Sequence, residues 1–131
     1  GSPESISLVA TIGDRVVGHI LFTPISIEPA ARVRVAGLAP LAVRPENQRS
    51  GLGSQLVRAG LDSCRQHGYA AVVVVGHPEF YPRFGFARAS TKGLTCEFPV
   101  RDEVFMAVEL NPGALAAVRG LVRYRPEFSE E

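Results

Sequence analysis

The residues best suited to chemistry lie in the stretch 41–54, LAVRPENQRSGLGS, which joins an apolar run to an amphipathic one. Gly51 and Gly53 open the second run. Without a Cβ, a glycine lets a ligand approach the main chain closely. The first amides of a helix have no partner inside it, and the macrodipole adds positive potential there. Such an end suits an anion, most simply a phosphate or pyrophosphate. A dinucleotide fingerprint needs a third small residue where Leu56 stands, and a Walker A loop needs a Gly-Lys pair that this loop lacks. The alternative is that both glycines only let a helix pack close to a sheet.

That loop needs a strand before it and a helix after it, and the flanking patterns supply both. Residues 34–43 (RVAGLAPLAV) read as a strand interrupted at Gly37 and Pro40, which predicts a bulge in its middle. Residues 51–67 carry Leu52, Leu56, Val57, Ala59, Gly60, Leu61 and Cys64 at helical spacing. Arg58 and Asp62 lie on the polar face as an i,i+4 pair, and Gly68 suits the residue after the helix. Residues 70–75 (AAVVVV) read as a strand covered on both faces, so strand, helix and strand form a right-handed parallel βαβ unit. Upstream, 6–12 and 16–27 predict a hairpin turning at Gly13-Asp14-Arg15, with Pro24 marking an edge or bulge. Downstream, 76–86 holds at most a short helix, limited by Pro78 and Pro82, and strands follow at 94–98, 104–110 and 120–124. The fold class is α/β with a sheet of mixed direction.

Length and composition narrow the function classes. The 131 residues predict one domain over 1–131, and 46% hydrophobic content supplies one core. A net charge of +1 argues for neither nucleic acid nor an anionic membrane as partner. No apolar run approaches the ~20 residues of a membrane helix, and no signal peptide is visible. Cys64 and Cys96 have no zinc spacing, so no metal site is expected; two buried thiols in a reducing cytoplasm are.

Gln48-x-x-Gly51-x-Gly53 after Leu41-Ala42-Val43 resembles the acetyl-CoA loop of the GNAT superfamily of N-acetyltransferases, Q/R-x-x-G-x-G/A. After a helix and a buried strand comes Tyr81-Pro82-Arg83-Phe84-Gly85-Phe86, similar to that family's Tyr-x-x-x-Gly-Phe segment. The whole segment GHPEFYPRFGF resembles a bacterial subgroup of predicted N-acetyltransferases. The resemblance implies the acyl-CoA N-acyltransferase fold: a mostly antiparallel sheet with a central parallel pair that splays apart. It also implies acetyl transfer from acetyl-CoA bound at the loop from Gln48 to Ser54, with the pyrophosphate on the amides of Arg49, Ser50, Gly51, Leu52, Gly53 and Ser54. The pantetheine arm would run between strands 34–43 and 70–75 along Leu41, Ala42 and Val43. The acceptor is an unidentified amine, small-molecule or protein, which attacks the thioester directly.

Tyr81 matches the family's general acid, since its hydroxyl can protonate a departing thiolate of comparable acidity. The competing view packs it as one aromatic among Phe80, Phe84 and Phe86. Arg44 and Arg49 flank the loop as candidates for phosphate contacts. Glu97, Asp102 and Glu103 fall where acceptors bind in this fold. His77 and Glu79 lie at the mouth of the expected cleft; His19 and His67 are assigned no role.

Two departures from the family pattern stand out. No carboxylate lies in 30–45 or 70–76, so the general base is missing, and an acyl-CoA-binding module without catalysis is the alternative. A non-enzymatic interaction domain is a further one. The family's first strand and two helices do not precede the hairpin here, so the expectation is that they are missing. Apolar surface left bare would then suit a second copy of the chain, as a homo-oligomer.

Overall fold

A computed structural model describes residues 5–29 and 33–124. Its strands are β1 (Ile6–Ile12), β2 (Arg15–Glu28), β3 (Val35–Val43), β4 (Ala71–Val75), β5 (Ala87–Arg88), β6 (Leu94–Cys96), β7 (Phe105–Glu109) and β8 (Gly120–Arg123). One helix, α1 (Leu52–Gln66), joins β3 to β4. The strands form a sheet in the order β5-β7-β4-β3-β2-β8-β6, with β1 also on β2. The predicted tail strand at 120–124 corresponds to β8; position 125 onward lies outside the described residues.

β1 and β2 make the expected hairpin, turning at Gly13 with φ +59°. β2 is long enough to hold two partners on one side. β1 begins at Ile6 opposite Phe22, and β8 ends at Arg123 opposite Ser26. Pro24, which has no N–H to give, falls between them.

The βαβ unit is parallel, with Val35 to Leu38 opposite Ala71 to Val74. The side-chain period of two then explains why 71–74 is continuously apolar. Val72 and Val74 join the core under α1, with Ile20, Phe22, Leu56 and Val57. Ala71 and Val73 face a second core containing Leu94, Phe105, Leu115 and Val122.

α1 buries Leu56, Val57, Gly60, Leu61 and Cys64. At Gly60 a Cβ would lie 2.2 Å from Phe22 Cε1, so this glycine is what lets the helix sit against the aromatic ring. The helix ends at the cap residue His67, followed by Gly68 at φ +85°. Two sequence expectations are corrected here. Ala59 is exposed rather than packed. Asp62 pairs with Arg65 at 3.2 Å rather than with Arg58, because Arg58 turns instead over the ring of Phe84, 5.1 Å away.

Candidate active site in the strand wedge

The ladder between β3 and β4 ends at the pair Leu38–Val74. β3 nevertheless continues on β2 as far as Val43, and β4 continues on β7 as far as Val75. The two strands therefore part while each stays held on its outer side. The cause is local: between Phe22–Leu38 and Ile20–Leu41, β3 spends one residue more than β2. That bulge falls at Ala39-Pro40, inside the segment that Gly37 and Pro40 marked. Past it, backbone groups of β3 on the β4 side have no strand partner, and Val75 on the opposite lip is 41% exposed.

The wide end of the wedge meets the N-terminus of α1. Arg44 anchors the connection, its amide donating to Val17 O at 2.8 Å and its Nε to Val16 O at 2.9 Å. Its side chain is thus engaged in the fold and not turned to the loop as the sequence had suggested. Gln48 Nε2 donates to Val43 O at 3.0 Å, tying the loop to the end of β3. The Ser50 hydroxyl donates to Asn47 O. Arg49 and Gly51 take the left-handed conformation, at φ +62° and +89°. Gly51 is the cap residue of α1, and no side chain caps that end. The amides of Leu52, Gly53 and Ser54 consequently lack intrahelical acceptors.

The two loop glycines can now be compared with Gly60. A Cβ on Gly51 would meet nothing within 4 Å; one on Gly53 would make ordinary contacts, 3.8 Å to Phe80 Cζ and 3.9 Å to Val43 Cγ2. Neither is therefore needed for packing. Gly51 answers a backbone demand, since φ +89° is strained for other residues, and Gly53 leaves a bare amide facing an open pocket. That pocket, about 390 Å³, is lined by Val43, Gln48, Arg49, Gly51, Gly53, Ser54, Phe80 and Arg83. Leu41, Ala42, Ser50 and Leu52 do not line it; the first two lie on the stretch of β3 that pairs with β2 but no longer with β4.

Tyr81 stands on the other lip. It opens a one-turn 3-10 helix, Tyr81–Phe84, just beyond β4. Its ring lies edge-on to Phe80 at 5.0 Å and to Phe86 at 5.5 Å. It is 6% exposed, and burial raises the pKa of its hydroxyl, which keeps the proton on at neutral pH. No hydrogen bond occupies that hydroxyl among the described residues.

Other candidates are not gathered here. Glu97 accepts from the Tyr124 amide and pairs with Arg123. Asp102 pairs with Arg88, and Glu103 with Arg101. His77 and Glu79 are exposed. Cys64 is buried as expected, whereas Cys96 is only half-buried. No group of side chains among the described residues could hold a metal ion.

Sequence reasoning overlooked two features. Gly76, whose amide donates to Val104 O, leaves the space that the Tyr81 ring fills. His19 takes a 2.9 Å hydrogen bond with Ser7 and sits opposite Ala42, on the sheet face away from Val43 and α1. Only the strand register brings His19 there, so no motif could announce it.

Comparison with known proteins agrees with this geometry. The sequence model of the family described as "Acetyltransferase (GNAT) domain" matches residues 3–89. The chain is 40% identical over 126 residues to the "Uncharacterized N-acetyltransferase YhbS" of Escherichia coli strain K12, spanning 95% of this chain and 75% of that protein. The chain belongs to the GNAT acetyltransferase family. Among solved structures, this GNAT chain resembles Escherichia coli YhbS in complex with CoA, with a TM-score of 0.88, 40% identity, and coverage of 94% of this chain and 68% of that one. It also resembles a GNAT acetyltransferase of Brucella melitensis in complex with acetyl-CoA, with a TM-score of 0.74, 32% identity, and coverage of 93% and 67%. The mixed sheet with one splayed parallel pair is thus the GNAT fold. No helix among the described residues is long and apolar enough to cross a membrane.

Proposed function

We propose that this GNAT domain binds acetyl-CoA across the wedge and transfers its acetyl group to a primary amine. The observation that carries the reading is the end of the β3–β4 ladder at Leu38–Val74, with an uncapped glycine loop on one lip and Tyr81 on the other. The pyrophosphate would rest on the amides from Arg49 to Ser54, while the Gln48 amide is taken by Pro45 O. The pantetheine arm would run along Leu41, Ala42 and Val43, taking the backbone groups of Leu41 and Val43 on the side that β4 leaves open. That relatives were solved with CoA and with acetyl-CoA supports acetyl-CoA as the ligand.

In the reaction the amine lone pair attacks the thioester carbonyl, forming a C–N bond as the C–S bond breaks. The electron pair of that bond leaves on sulfur. Tyr81, held neutral by burial, gives the thiolate its proton; the amine nitrogen releases one proton to water, and the tyrosinate takes one back from water, so the enzyme is restored. Holding amine and thioester together in the wedge supplies much of the acceleration.

A second reading is an acyl-CoA-binding module without catalysis. It draws on the absence of any Asp or Glu in β3 and β4. Calorimetric titration with CoA tests the binding shared by both. The wild-type chain should bind CoA, and Gly53→Glu should abolish binding in a folded protein, since it puts a carboxylate where the phosphates sit. Unchanged affinity in that variant would overturn the placement.

A further inference from the structure

A second depression, about 580 Å³, lies beside the pocket at the glycine loop, and Arg83 lines both. Arg58 and Phe84 line only the second. Arg58 follows Ser54 by four residues, so the two share one face of α1, about 6 Å apart along its axis. The Arg58 guanidinium sits over Phe84 at 5.1 Å and that of Arg83 over Phe80 at 5.5 Å, while the two rings meet edge-on at 5.1 Å. Stacking of this kind fixes the plane of a guanidinium and leaves its N–H edge free for an anion.

Charge bookkeeping within the depression sharpens the point. Arg65 is committed, with Nε on Leu110 O at 3.0 Å and NH1 on Asp62. Asp62, the carboxylate of the depression, is taken by Arg65 and by Gln66 at 3.3 Å. Arg58 and Arg83 form no ion pair among the described residues. Two oriented cations without counter-ions thus flank the proposed diphosphate site: Arg58 one helical turn along α1 from Ser54, and Arg83 on the border of both hollows.

We infer that Arg58 and Arg83 form a second anion subsite that takes the 3′-phosphomonoester on the ribose of acyl-CoA. The inference rests on the reading of the glycine loop as the diphosphate site. A ribose separates the diphosphate of CoA from its 3′-phosphate by a few bonds, which suits Arg58 one turn further along the helix face and Arg83 on the border shared by the two hollows. The monoester also carries more charge than either diphosphate group, which rewards two guanidiniums. The subsite would let the enzyme distinguish CoA from its dephosphorylated precursor form. The competing explanation is that both arginines only brace the Phe80–Phe84 pair.

Calorimetric titration of CoA and of 3′-dephospho-CoA into the wild type, Arg58→Gln, Arg83→Gln and Arg65→Gln separates these views. The wild type should bind CoA about tenfold or more tighter than 3′-dephospho-CoA, the scale of one charge-assisted contact. Arg58→Gln and Arg83→Gln should each weaken CoA binding until the two ligands agree within about threefold. Arg65→Gln, whose side chain is already committed, should keep the wild-type preference. Equal wild-type affinities for the two ligands would overturn the subsite and leave the CoA reading standing. Parallel weakening of both ligands in the two variants would overturn it in favour of the bracing role. Binding of neither ligand by the wild type would overturn both the subsite and the reading beneath it.

Discussion

The ring of Tyr81 lies across the backbone of Gly76, so that a Cβ on the glycine would fall 2.5 Å from Tyr81 Cε2 and 3.4 Å from Cζ. Gly76 is the first residue after β4, on the lip of the wedge. Its missing side chain therefore sets where the proposed proton donor stands. Gly76→Ala should push the buried ring outward, at a cost of about 1–3 kcal/mol in stability. Turnover should fall while CoA affinity stays within a few-fold of wild type. Denaturant melts and steady-state kinetics on the same preparation check both parts, and an unchanged kcat would show that the ring position is immaterial.

Tyr81→Phe keeps the ring and its contacts with Phe80 and Phe86 and removes only the hydroxyl. The fold should be nearly unaffected, since that hydroxyl has no partner among the described residues. The expected change is a fall of about 10²–10⁴-fold in kcat, with KM for acetyl-CoA little altered. A fully active variant would return Tyr81 to a packing role.

The glycines should divide by consequence. Gly60→Ala puts a methyl 2.2 Å from Phe22 Cε1, beneath a fully buried ring, and should destabilise the fold by about 1–3 kcal/mol or more. Gly53→Ala makes only van der Waals contacts and should leave the melting temperature close to wild type. Gly51→Ala meets open space but must hold φ +89°, a strain of about 1–2 kcal/mol. Thermal melts of the three variants give the order directly, and a Gly53→Ala as damaging as Gly60→Ala would contradict this division.

Alkaline pH should weaken the fold through Cys64. Burial raises its thiol from an ordinary 9.0 to about 12. The folded chain therefore holds a proton that the unfolded chain releases above pH 9. The stability from this group is complete below pH 9 and is lost as pH rises toward 12. Tyr81 is raised by burial as well and acts in the same direction. Cys64→Ala should show a shallower decline between pH 9 and 11 in chemical-denaturation midpoints, and identical slopes would contradict the assignment.

Much of this arrangement is legible in the residues themselves. The strand at 6–12 matches its predicted bounds because its β-rich pattern ends in a glycine turn. The wedge is foreshadowed by Pro40, which has no N–H to give to a ladder. The loop motif and the Tyr81 segment lie on opposite lips because helix and strand lengths between them fix the geometry. Other features depend on partners remote in sequence or on rotamers. β5 is two residues long and exists only by pairing with Met106 and Ala107 on β7. Gly60 and Phe22 are made complementary by the fold alone. The choice of Asp62 for Arg65 frees Arg58, and a helical wheel treats both arginines as neighbours of that carboxylate.

Amine-dependent thiol release from acetyl-CoA tests the central claim most directly. Wild-type protein, saturated with acetyl-CoA, is assayed against a panel of primary amines by free-thiol detection and by mass analysis of the amide product. Acetyl transfer predicts thiol release that depends on one or more amines, with amide formed in equal amount. Bound CoA with no amine-dependent release above the protein-free blank, across small-molecule and peptide amines alike, would contradict it and favour the binding-module reading.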